Sequence, residues 1–140
     1  MNVALDTNII VYALVGNAQI ASAASKALER AASQGGAIVV SAPVYAELLA
    51  IPNYDKQDLD AFVADAKIRV DWQLSEACWI AAGVAYAAYA RRRKRQKSDA
   101  PRRILADFII GAHAVGVEAL LTADGSFYTT NFPELRLLGI

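Results

Sequence analysis

The chain opens on an apolar run from Met1 to Leu5, with β-branched Val3 inside it, and the run stops at Asp6. A short continuous apolar stretch of this kind reads as a buried strand. Asn8 to Leu14 and Ala18 to Ser33 have helical composition, followed by the breaking pairs Gly16-Asn17 and Gly35-Gly36. Ala37 to Val40 reads as a second buried strand. Ser41 then stands at an N-cap position, Pro43 suits a first helical turn, and Val44, Leu48 and Ile51 form an apolar stripe up to Pro52. Asp55 and Asp58 open another amphipathic helix, carrying Leu59, Phe62, Val63 and Ala66. Arg69 to Trp72 reads as a short strand, and Ser75 starts a long alanine-rich helix through Cys78 and Trp79 to a basic run at Arg91, broken by Ser98 to Pro101. A helix from Arg103 to Val115, a strand from Glu118 to Thr122, a turn at Asp124-Gly125 and a strand from Leu135 to Leu138 complete the pattern. Strands separated by helices predict an α/β fold, one domain over residues 1–140 with a mostly parallel central sheet flanked by helices.

Composition narrows the class. Hydrophobic residues make up 56% of the chain and charged residues 20%, enough apolar surface for a packed core and unlike a disordered segment. The charge-free stretch Ala77 to Ala90 ends against Arg91, but it is shorter than the roughly 20 residues that span a bilayer, and its many alanines suit a buried helix packed on neighbours. No membrane association is expected. No basic leader precedes the first apolar run, so a cytoplasmic location is expected. Cys78 is the single cysteine, lies among apolar neighbours, and reads as a small core residue.

The informative residues are acids in apolar surroundings. At helical spacing Glu47 has Pro43, Val44, Ala50 and Ile51 as neighbours, so it projects from an apolar stripe. Asp107 repeats this among Ile104, Ile110, Gly111 and Ala114, with Arg103 one turn earlier. Asp6 ends the first strand and Asp124 follows the strand Ala119 to Leu121; ligands of open parallel sheets bind at such carboxyl ends. Each acid alone also fits a cap, a turn or an ion pair. Together they require a cation or shared protons, because unpaired buried carboxylates are costly and raise one another's pKa. Eight of the fourteen basic residues fall between Arg91 and Arg103, leaving few elsewhere to serve. Oxygen-only ligands point to Mg²⁺ or Mn²⁺ and away from zinc, and such ions suit phosphodiester hydrolysis. Thr7 and Asn8 follow the first acid and Thr122 precedes the last; each is placed either to support the site or simply to cap a helix and close a turn. His113, on another face of the Asp107 helix, reads as structural.

These residues resemble the PIN-domain ribonucleases. The resemblance is carried, in order, by Val3-Ala4-Leu5-Asp6-Thr7-Asn8 with Ile9 to Tyr12, by Ala46-Glu47-Leu48, by Ala106-Asp107-Phe108 through Ala114, and by Leu121-Thr122-Ala123-Asp124. Phe127-Tyr128 and Phe132-Pro133-Glu134-Leu135 extend it to the VapC toxins of toxin-antitoxin pairs. It implies an endoribonuclease using Mg²⁺ or Mn²⁺, held by Asp6, Glu47, Asp107 and Asp124, with Thr7 and Thr122 as supporting hydroxyls. It also implies an antitoxin partner and a homodimer. Ala123 departs from the pattern, since related toxins often carry a basic residue there.

The basic cluster from Arg91 to Arg103 suits an RNA phosphate track in a chain of net charge zero, or equally a solvated helix end favoured by the macrodipole. Two rival readings remain. A phosphoacceptor receiver domain also gathers carboxylates at strand ends, but it needs a late lysine, and no lysine follows Arg103. A catalytically silent PIN-like module for RNA binding or scaffolding would tolerate loss of an acid, whereas all four are present.

Overall fold

In the computed structural model, which describes residues 1–97 and 99–140, five short strands form one sheet in the order β3-β2-β1-β4-β5. They are β1 (Val3–Leu5), β2 (Ile38–Ser41), β3 (Ile68–Asp71), β4 (Ala119–Leu121) and β5 (Arg136–Leu138). Every pairing is parallel. All residues of β1, β2 and β4 are buried, as expected for strands covered on both faces. The covering helices are α1 (Thr7–Val15), α2 (Ala18–Ala32), α3 (Ala42–Leu48), α4 (Lys56–Asp65), α5 (Glu76–Gln96), α6 (Leu105–Val117) and α7 (Gly125–Asn131).

Local chemistry explains most boundaries. Asn17 accepts from the Ile20 N–H to start α2, Ser75 accepts from Cys78 to start α5, and Asp55 and Asp58 form a reciprocal capping box on α4. Helix α3 ends at Leu48, three residues before the expected limit, because Pro52 disfavours a helical Ile51 and the last carbonyls close onto Ala50 and Ile51 in tighter turns. Ile51 is buried all the same. Ser41 occupies the N-cap position, but its hydroxyl makes no capping bond. The expected break after α5 includes Ser98, which lies outside the described residues.

Two expectations are corrected. The Asp124-Gly125 turn is the start of α7, because burying Phe127 and Tyr128 outweighs the weak helix propensity of a Gly, Ser and Thr segment. The alanine-rich helix is not buried all round: in α5 only Ala82 is fully buried, while Trp79, Ile80 and Val84 are exposed. Among the described residues no helix is long and apolar enough to cross a membrane.

The register positions the site. Leu5 pairs with Leu121, and the ladder runs one step further through the Asp6 N–H to the Leu121 carbonyl at 3.0 Å. On the other side the Thr122 N–H bonds the Leu138 carbonyl at 3.0 Å. Asp6 and Thr122 therefore emerge side by side at the carboxyl ends of β1 and β4, where the strand order reverses. Beneath them, Phe108 meets Phe127 at 5.2 Å and Phe127 meets Tyr128 at 4.9 Å between ring centroids, fixing α7 against α6.

Candidate active site

Asp6 is 6% exposed and is held from three directions. Its Oδ1 accepts from the Thr7 N–H at 2.8 Å, and its Oδ2 from Asn8 Nδ2 at 3.2 Å and Thr122 Oγ1 at 2.7 Å. Burial pushes this carboxyl above its ordinary pKa, aided by the charge of Asp124, while hydrogen bonds from Thr122, Tyr128 and Thr7 pull the other way. The Thr122 hydroxyl also accepts the Asp124 N–H at 2.9 Å, so one buried oxygen ties the first acid to the last. Asn8 bridges the same two segments, accepting from the Ala123 N–H at 3.3 Å.

The other acids arrive on helices. Glu47, on α3, accepts from Thr7 Oγ1 at 2.8 Å, which joins it to the end of β1. Asp107 stands in the first turn of α6, half-buried. Its carboxyl is raised first by burial, and then by the charges of Asp6, Glu47 and Asp124, against the lowering effect of Arg103. Asp124 sits at the N-cap position of α7 without capping it; its Oδ2 instead takes Arg103 Nη1 at 2.7 Å. All four carboxylates, with Thr7 and Asn8, line one cavity of about 300 Å³. Thr122 lies behind it, holding Asp6.

Arg103 and Tyr128 also line this cavity, and the sequence pattern gave neither a place in it. The signal for Arg103 was its spacing of four from Asp107, but it was grouped with the basic run before it. Arg92 likewise leaves that run to bond Asn131 at 2.6 Å, whereas Arg91, Lys94, Arg95, Lys97 and Arg102 are exposed. Tyr128 is almost fully buried, and burial raises its phenol, with the charge of Asp6 next in effect.

The donor set fits a hard divalent cation. It is oxygen-only, and among the described residues lining the cavity four carboxylates face a single guanidinium. Among the described residues no three His, Cys, Asp or Glu side chains are drawn together tightly enough to enclose an ion as they stand. Arg103 supplies the positive charge at Asp124. A larger cavity of about 860 Å³ lies elsewhere, between α5 and α6, with an alanine-rich lining. His113 lies there, its Nε2 2.8 Å from Asp71 Oδ2, away from the acids and in a structural pairing.

Sequence comparison with curated proteins gives no significant match. Among solved structures, the chain is similar to VapBC2 from Rickettsia felis, bound to a DNA fragment from its promoter. Identity is 22%, the TM-score 0.66, and the match covers 99% of this chain and 98% of that one. VapBC-1 from nontypeable Haemophilus influenzae gives 22% identity and a TM-score of 0.64, again over 99% and 98% of the two chains. These likenesses establish a shared fold. The family profile of the PIN domain matches residues 3–133, from β1 to the approach to β5. That span includes every acid of the cavity, and this protein belongs to the PIN domain family.

Proposed function

We propose that this chain is a metal-dependent endoribonuclease, in which Asp6, Glu47, Asp107 and Asp124 hold Mg²⁺ or Mn²⁺ against an RNA phosphodiester. The carrying observation is that four carboxylates from separate elements line one cavity, where burial and neighbouring charge disfavour ionisation of Asp6 and Asp107 without a cation. Such an ion, when bound, polarises the phosphodiester and lowers the pKa of attacking water. The chain's own side chains supply the rest. Asp6 is the fixed acid, oriented by Thr122, Asn8 and the Thr7 N–H. Thr7 holds Glu47 toward the same space. The exposed residues Arg91, Lys94, Arg95 and Lys97 would bind the RNA backbone.

Similarity to VapBC proteins supports a toxin silenced by a cognate antitoxin, and we further propose that it acts in the cytoplasm as a homodimer. The test is cleavage of a mixed structured-RNA pool by antitoxin-free protein, with Mn²⁺, Mg²⁺ or EDTA. Cutting that needs metal and is lost in Asp6→Asn and Asp107→Asn supports the nuclease. RNA binding without cutting in any ion would favour a silent scaffold instead.

A further inference from the structure

Among the described residues lining the acid cavity, Arg103 is the one cation, and the fold places it deliberately. Its N–H donates to Tyr89 Oη at 2.8 Å, which ties its backbone to α5. Its guanidinium lies over the Phe127 ring at 4.5 Å. From that platform Nη1 reaches Asp124 Oδ2 at 2.7 Å and stands 3.9 Å from Asp107 Oδ2. A solvated helix-end arginine would need none of these contacts.

We propose that Arg103 is a tethered counter-cation that holds the Asp124 side of the site in the metal-free protein and competes there with a divalent ion. The inference rests on the metal-centre reading above and goes beyond it by naming the residue that sets metal affinity. Without Arg103 the four acids would face one another with no positive group among the lining residues. With it, an entering ion meets a fixed positive charge and an oxygen already engaged. A guanidinium can also raise metal affinity by drawing ligands into place, but this one does not do so. Its one short ion pair is to Asp124, its distance to Asp107 is 3.9 Å, and among the described residues no three ligating groups are gathered. Competition is therefore the larger effect.

The test is Mn²⁺ titration by calorimetry on the full chain, with thermal melts in EDTA and in saturating Mn²⁺. Arg103→Met keeps an unbranched stem against Phe127 and removes the charge. It should bind Mn²⁺ about tenfold more tightly than wild type. It should also melt lower in EDTA and gain more from Mn²⁺. Arg103→Lys retains the charge and should stay within about threefold of wild type. If Arg103→Met does not fold in EDTA, Arg103→Gln is read in its place with the same expectation. Equal or weaker Mn²⁺ affinity in the folded neutral variant overturns the proposal. Asp107→Asn separates the two readings: wild-type binding lost in Asp107→Asn but unchanged in Arg103→Met sinks this inference alone. No Mn²⁺ binding in any variant, or binding indifferent to Asp107, sinks the metal centre itself.

Discussion

Replacing Thr122 with valine removes one oxygen and almost no volume. That oxygen is buried, donates to Asp6 Oδ2 at 2.7 Å and accepts the Asp124 N–H at 2.9 Å. A hydrogen bond to a charged group contributes about 1.5–3 kcal/mol and a neutral one about 1 kcal/mol, so losing both costs about 2.5–4 kcal/mol. Part is recovered, since Asp6 keeps its bonds from Thr7 and Asn8 and can take up a proton. We expect a net loss of about 2–3 kcal/mol at pH 7, lowering the melting temperature by about 6–10 °C for a domain of this length. Urea and thermal denaturation of wild type, Thr122→Val and Thr122→Ser decide the matter. Serine keeps the hydroxyl and loses a methyl group, at a cost of about 1 kcal/mol. The required order is wild type, then serine, then valine; a valine variant as stable as the serine one would refute the argument that this hydroxyl joins the two strand ends energetically.

Asp71 gives a pH dependence away from the acid site. Burial opposes its ionisation, but hydrogen bonds from Arg69 and His113 outweigh this and hold the carboxyl below its ordinary value of 3.8. A lowered folded-state pKa stabilises above the unfolded value and is lost as pH falls through the folded one. Asp71→Asn should therefore cost about 1 kcal/mol at pH 7 in urea denaturation, and the gap from wild type should close below about pH 3.8. A gap independent of pH would exclude ion pairing as its source. Gly111→Ala would place a Cβ 2.3 Å from the buried Phe132 ring, so it should destabilise by about 1–3 kcal/mol. An unchanged melt would mean that α6 shifts freely against Phe132. Lys94→Gln with Arg95→Gln should weaken RNA binding and reduce the slope of log affinity against log salt by about 1.4. An unaltered slope would remove this helix end from the RNA path.

Much of the site was legible because acids in apolar company are conspicuous. Asp6 and Asp124 stood at the ends of readable strands, and Glu47 and Asp107 stood on apolar helical stripes, so four positions distant in sequence could be grouped before their geometry was known. The α/β class followed from the same alternation, and the sheet is parallel throughout. What escaped was direction. Arg103 adjoins a basic run, and sequence proximity does not tell that its neighbours face solvent while it turns toward Asp124. The alanines of α5 are apolar on every face, so their pattern cannot mark which side is left uncovered. In α7 local propensity favoured a turn, and the burial of Phe127 and Tyr128 decided for a helix.

The four acids are not held equally. Asp6 is fixed by the sheet itself: its backbone extends the β1–β4 ladder, and its carboxylate is bound by Thr122 from the neighbouring strand end. A one-residue slip of that register would carry Asp6 to the opposite face, so sheet pairing and orientation of the first acid are a single event. Glu47 and Asp107 come from helices, and Asp124 from the turn into α7. Of these, Glu47 is restrained by Thr7 and Asp124 by Arg103. This division sets one acid fixed by the sheet beside three carried on helices and a turn. It also means that substitutions along β1 and β4 should disturb the site through Asp6, whereas substitutions around Arg103 should disturb it through Asp124, leaving Asp6 in place.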